Sequence, residues 1–213
     1  MRAHLLALLA VTALGGALLA GCDRPPEGEQ VVGQPSELVD QVPDDPALEE
    51  EWTAVEGTRA WTLTSTAFES GATIPTKYTE DGEDVSPPLT FADLPPDTEE
   101  LALICHDPDA PREGGWTHWV VYGMDSGLQG LPEAVPAEER VEEPALIQGE
   151  NSWGKIGYGG PAPPPGSPHR YQFTLYALSE RLNLEPGATK DELEAAMEGK
   201  IIDQAMLEGL YGR

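Results

Sequence analysis

At 213 residues the chain is long enough for one sizeable domain with extensions, and 39% apolar content supplies a core. Asp and Glu number 38 against 12 Lys and Arg, a formal net charge of −26. That excess argues against a nucleic-acid binder, whose affinity rests on cations neutralising phosphates, and against adsorption to anionic lipid through a basic patch; any anionic ligand has to be held by a local site against the field of the whole molecule.

The N-terminus reads as an export signal. Arg2 is followed by an uncharged apolar stretch over Leu5–Leu19 and then by Leu19-Ala20-Gly21-Cys22. That tetrapeptide resembles the bacterial lipobox, in which the cysteine is lipidated. Residues 1–22 are therefore expected to be a lipoprotein signal peptide with Cys22 carrying the lipid. The location implied is the cell envelope of a bacterium, on a membrane and facing outside the cytoplasm. Residues 23–60 carry many carboxylates and scattered prolines (Pro25, Pro26, Pro35, Pro43, Pro46) with few apolar side chains. Such a segment cannot bury enough surface to offset its ordering entropy, which predicts an extended acidic tether. Cys105, inside the apolar run Leu101–Cys105, is expected to be a free buried thiol.

From Trp61 to Arg213 the pattern changes to short β-type runs separated by turn signals. Strands are predicted at Trp61–Phe68, Leu89–Phe91, Leu101–Cys105, Trp116–Met124 and Tyr171–Leu178. The continuous apolarity of Leu101–Cys105 makes that strand central. Helix is predicted only near the end. Thr189-Lys190-Asp191-Glu192 is a capping box, Leu193, Ala196 and Met197 form the buried side, and Gly199 ends it. A second short helix is expected to carry Ile201, Ile202, Ala205, Met206 and Leu210. The fold class is mostly β, a β-sandwich or compact β-domain with short C-terminal helices packed at one end.

Chemistry concentrates in three places. Asp107-Pro108-Asp109-Ala110-Pro111 follows the central strand, His118 lies beside Trp116 and Trp119, and His169 and Tyr171 open the last predicted strand, spaced to face the same side. Between them runs Gly157–Tyr171, where glycines 157, 159 and 160 precede a proline-rich stretch. It reads either as an anion cradle with a rigid wall or as an ordinary surface loop. Two imidazoles, a phenol and a carboxylate suit a small anion site in which Asp107 holds one histidine's tautomer and favours its charged form. The same residues taken singly suit core packing and turn formation. An Asp/His acid–base pair is the enzymatic reading, with no nucleophile evident, and a two-His-one-carboxylate metal site is a third; neither a metal nor a cofactor is expected.

Asp107–Pro111, Trp116-Thr117-His118 and Gly160–Tyr171 with its terminal His-Arg-Tyr resemble the phosphatidylethanolamine-binding protein family, in its bacterial Raf-kinase-inhibitor-like branch. Lys77-Tyr78-Thr79, Asp81-Gly82, Ser86–Leu89 and Leu193–Arg213 look like that branch too, so the resemblance spans about Trp61–Arg213. It implies an antiparallel β-sandwich with a pocket at one end for phosphate or a phospholipid-headgroup-like anion. By that resemblance Asp107, His118, His169 and Tyr171 bind the ligand, Trp116 lines the pocket, and the segment holding Gly160 and Ala162 offers backbone N–H groups to phosphate. Ala162 stands where eukaryotic relatives have glycine. The function implied is a membrane-tethered, non-enzymatic binding or regulatory protein, with inhibition of an extracytoplasmic hydrolase as one role. A hydrolase using Asp and His in the same pocket is the alternative. The partners implied are the small anion, the membrane through the lipid, and an unidentified protein.

Overall fold

The computed structural model of the chain describes residues 61–213. The expected signal peptide, Cys22 and acidic tether lie outside them. A smaller antiparallel sheet has the order β1-β2-β5, from β1 (Thr62–Thr64), β2 (Leu89–Ala92) and β5 (Gly130–Leu131). The larger sheet has the order β6-β7-β4-β3-β8-β9. Its members are β3 (Glu100–Asp107), β4 (Trp116–Asp125), β6 (Arg140–Glu142), β7 (Ala145–Gln148), β8 (His169–Leu178) and β9 (Ile201–Tyr211), all antiparallel to their neighbours. Of the predicted first strand only Thr62–Thr64 pairs; beyond it Ser65 turns its hydroxyl to the Pro88 carbonyl at 2.6 Å.

Side-chain alternation explains why the sheets stack. Leu63, Leu89, Phe91 and Leu131 of the small sheet pack with Leu101, Leu103, Cys105, Trp119, Val121, Phe173 and Leu175 of the large one. The intervening residues of β3 and β4 (Ala102, Ile104, Val120, Tyr122) face away from that core and meet α1 (Lys190–Met197) through Leu193 and Met197. β3 lies between β4 and β8 and is buried on both faces, hence its unbroken apolar run. Removing each such leucine or phenylalanine from water stabilises the fold by roughly 1.5–3 kcal/mol before entropy is counted. Cys105 is a free buried thiol.

The cap of α1 forms as its sequence dictates. The Thr189 hydroxyl accepts from the Glu192 amide and the Glu192 carboxylate accepts from the Thr189 amide. Gly199 follows with φ +75, the left-handed conformation that suits glycine. The second expected helix is absent: Ile201–Tyr211 is β9, paired with β8 along nearly its whole length. The residues it buries are Ala205, Leu207, Gly209 and Tyr211, at period two, while Ile201, Ile202 and Met206 are exposed. Gly209 fixes the outcome locally. A Cβ there would lie 2.4 Å from Ile74, so β9 crosses that side chain only without one.

Candidate functional site

Because β3 runs antiparallel to both β4 and β8, its C-terminal end meets the N-terminal ends of its two neighbours. Asp107, Trp116, His118, His169 and Tyr171 therefore gather at one end of the sandwich. Asp107 and Tyr171 continue the inward-facing rows of Leu103 and Cys105 and of Phe173 and Leu175, so the cleft is the sandwich core where it reaches solvent. His118 reaches the same side by a different device. Cys105 pairs with Trp119 but His106 pairs with Thr117, so His118 is an extra residue in β4. Strict alternation would have put His118 with Val120 and Tyr122 on the helix side; the bulge re-aims it, and its ring meets Tyr171 edge-on at 5.0 Å.

The cleft has a volume of about 360 Å³. Asp107, His118, His169 and Tyr171 all line it, as do Trp116 and Ala162. His169 donates from Nδ1 to Asp107 Oδ2 at 2.8 Å, and Asp107 Oδ1 accepts from the Asp109 amide at 2.8 Å. Asp107 thus fixes the His169 tautomer and leaves Nε2 as the ring's remaining polar atom. Next to it, Arg170 makes a two-pronged contact with Asp109 at 2.9 and 2.7 Å, which holds the Asp109 carboxyl down at about 2. His118 is held by Nδ1 on the Gly159 carbonyl at 2.6 Å, and the Gly159 amide donates to the His118 carbonyl at 2.9 Å. Burial pushes the His118 imidazole down to about 4, so near neutrality it is uncharged with Nε2 as a lone-pair acceptor.

Two donors on side chains that line this cleft have no partner. The Trp116 indole N–H and the Tyr171 hydroxyl are both buried without a hydrogen bond. Burial, and next Asp107, push the Tyr171 phenol well above its usual value, so it is a neutral O–H. An orphaned buried polar group costs about 1–3 kcal/mol, which an incoming acceptor recovers. The side walls are apolar: Trp116 and Trp153 meet edge-on at 5.2 Å, and Pro111, Pro163 and Pro164 complete them.

The glycine segment departs from expectation. The Gly160 amide donates to Asp84 Oδ1 at 2.6 Å, and Gly160 lines a neighbouring cavity with Lys155 and Tyr158 rather than this cleft. With the Gly159 amide also engaged, neither is turned to a ligand. Their lack of a side chain serves close packing: a Cβ at Gly159 would lie 2.7 Å from the Trp153 ring, and one at Gly160 2.7 Å from Thr79 Cα. The proline stretch does form a wall, as Pro163 and Pro164 show.

The sequence profile of the phosphatidylethanolamine-binding protein family matches residues 64–212. The chain belongs to that family. A UPF0098 protein of Methanothermobacter thermautotrophicus is 48% identical to this PEBP-family chain over 151 residues, covering 71% of it and 98% of the relative. A UPF0098 protein of Chlamydia pneumoniae is 46% identical over 153 residues, covering 70% of this chain and 97% of the relative. Among solved structures, a protein of Chlamydia trachomatis described as a PEBP homologue is 43% identical, with TM-score 0.66 over 72% of this chain and 98% of that one. E. coli YbcL, described as a member of the mammalian PEBP family, has TM-score 0.66 at 28% identity, over 72% of this chain and 98% of YbcL. In this PEBP-family member, residues that the sequence reading did not single out also shape the cleft: Arg112, Trp153 and Glu80. Trp153 was concealed in a loop. It is placed there by Asn151, whose side-chain oxygen accepts from the Trp153 and Lys155 amides at 3.0 and 3.2 Å.

Proposed function

We propose that the protein is a non-enzymatic binding protein that takes a small oxyanion, phosphate or the phosphoryl group of a headgroup-like ester, into the Asp107–His118–His169–Tyr171 cleft. The observation that carries this reading is the pair of buried donors without acceptors, the Trp116 N–H and the Tyr171 O–H, on the wall of one cleft. An oxyanion supplies acceptors to both. No serine, threonine or cysteine lines the cleft, so a hydrolase of the serine, threonine or cysteine type has no nucleophile there. Titration with inorganic phosphate, followed by NMR of the imidazole side chains, is expected to move the His118 and His169 signals together along one saturating curve. Unchanged signals at millimolar phosphate would sink the reading.

The domain is held at a bacterial envelope membrane through Cys22, outside the cytoplasm, where an unidentified protein such as an extracytoplasmic hydrolase is the partner it regulates. What supports the anchor is Leu19-Ala20-Gly21-Cys22 after an apolar signal-like stretch, with an acidic tether behind it. Acyl chains would supply the membrane affinity that a chain of net charge −26 lacks. Cys22→Ser is expected to shift the protein from the membrane to the soluble fraction on cell fractionation, and retention in the membrane would refute the anchor.

A further inference from the structure

The lining of the cleft presents a charge problem for an anion. Its formal charges are Glu80, Asp107 and Arg112, and His118 is neutral. Glu80 is paired with Arg213 at 3.0 Å and Asp107 with His169 at 2.8 Å, so the carboxylates have partners of their own. The other arginines of the described residues all face acids: Arg140 faces Glu185, Arg170 Asp109, Arg181 Asp125 and Arg213 both Glu80 and Asp81, while of the lysines Lys155 and Lys200 have no ion pair there and neither lines this cleft. Arg112 is exposed at the mouth, has no ion pair among the described residues, and stands 5.1 Å over the Trp116 ring. An arginine left without a carboxylate in so acidic a chain is unusual, and this one lies beside an orphaned indole N–H.

Its position is built into the β3–β4 connection. The Arg112 amide donates to the Ala110 carbonyl at 2.7 Å and its carbonyl accepts from the Gly115 amide at 3.1 Å. Gly115 has φ +70, and a Cβ there would lie 2.4 Å from the Asp107 carbonyl oxygen, so only glycine lets the turn close this tightly over β3. The guanidinium is further held by the face of Trp116, where a planar cation is attracted by the ring and keeps its N–H edge for hydrogen bonding.

Resting on the oxyanion reading of the cleft, we propose that Arg112 is its charge-selecting residue. It supplies the positive charge for an oxyanion that also accepts from the Trp116 N–H and the Tyr171 O–H, and the cleft thereby prefers an oxyanion to an uncharged ester of the same shape. The test uses two probes that differ by one charge, dimethyl phosphate and trimethyl phosphate, titrated into the purified full chain and read by tryptophan fluorescence and by the imidazole NMR signals. Wild type is expected to bind the anion about ten- to a hundredfold more tightly than the neutral ester, the worth of a charge-assisted hydrogen bond. Arg112→Gln is expected to bring the two probes to near equality, with its denaturation midpoint unchanged because the side chain is exposed. Arg112→Lys should retain only part of the preference, since an ammonium cannot lie flat on the ring. If Arg112→Gln keeps the wild-type preference while wild type binds dimethyl phosphate, this assignment falls and the oxyanion reading stands. If wild type binds neither dimethyl phosphate nor inorganic phosphate, both fall.

Discussion

Replacing Gln148 with leucine is expected to lower the free energy of unfolding by about 2–4 kcal/mol, read by urea denaturation at neutral pH. Gln148 is fully buried on β7 and serves three partners at once. Its Nε2 donates to the Pro136 and Glu138 carbonyls, both at 2.7 Å, and its Oε1 accepts from the Trp119 indole at 2.7 Å. Leucine fills a similar volume but leaves the Trp119 indole N–H unpaired in the interior at about 1–3 kcal/mol, and it removes two further hydrogen bonds at the surface, where the Pro136 carbonyl keeps the Glu138 amide and both carbonyls belong to exposed residues. The loss extends to the cleft, because Trp119 packs edge-on against Tyr158 at 5.7 Å, next to the Gly159 that holds His118. Faster hydrogen exchange at the Gly159 amide should accompany the lower stability. A double-mutant cycle isolates the cause: Trp119→Phe should cost less in the Gln148→Leu background than in wild type, since it removes the orphaned N–H. A destabilisation below about 1 kcal/mol would show that the three groups find other partners.

Local rules carried the sequence reading a long way where one residue type dictates one geometry. The Thr189–Glu192 cap, the buried run at β3, and the pairing of His169 with Tyr171 on one face each follow from chemistry within a few residues. The errors come from contacts between distant segments. Ile201, Ile202, Ala205, Met206 and Leu210 have a helical spacing, but ten residues of pairing with β8 and the passage of Gly209 over Ile74 select a strand. The glycines at 159 and 160 looked like a cradle because flexibility alone cannot distinguish an anion from Trp153 or Thr79 as the close neighbour. His118 joins the candidate site by residue type and by family likeness, not by strand geometry: period-two reasoning places it on the wrong face, because a bulge is invisible until the register with β3 is known. Arg112 and Trp153 lie in loops where no periodicity operates, so neither stood out before Trp116 was seen beneath one and beside the other.

The bulge that delivers His118 also buries it, and this makes stability depend on pH in a predictable direction. The ring is 2% exposed, tied by Nδ1 to the Gly159 carbonyl, and burial lowers its pKa from 6.5 to about 4, against smaller raising contributions from the carbonyl, Asp107 and Asp84 and a lowering one from His106. Between those two values the unfolded chain takes up a proton that the native state refuses, so acid favours unfolding over that window. The contribution is present above pH 6.5, is lost as the pH falls toward 4, and changes no further below that. It amounts to about 3 kcal/mol. Other groups titrate in the same range, so the quantity to measure is the difference between wild type and His118→Asn, whose amide can still donate to Gly159. Wild type should lose about 3 kcal/mol more than the variant between pH 7 and pH 4; parallel curves would mean that the buried imidazole is charged or solvated after all. An oxyanion bound in the cleft as proposed would reverse the balance at the ring's other nitrogen, Nε2. Negative charge beside Nε2 favours the imidazolium, so binding should draw in a proton and affinity should rise on acidification from pH 7 toward pH 5. Dimethyl phosphate is the probe of choice because its own charge is constant over that range. Calorimetry in buffers of different ionisation enthalpy should register proton uptake in wild type and none in His118→Asn, which would place the proton on His118 rather than on His169.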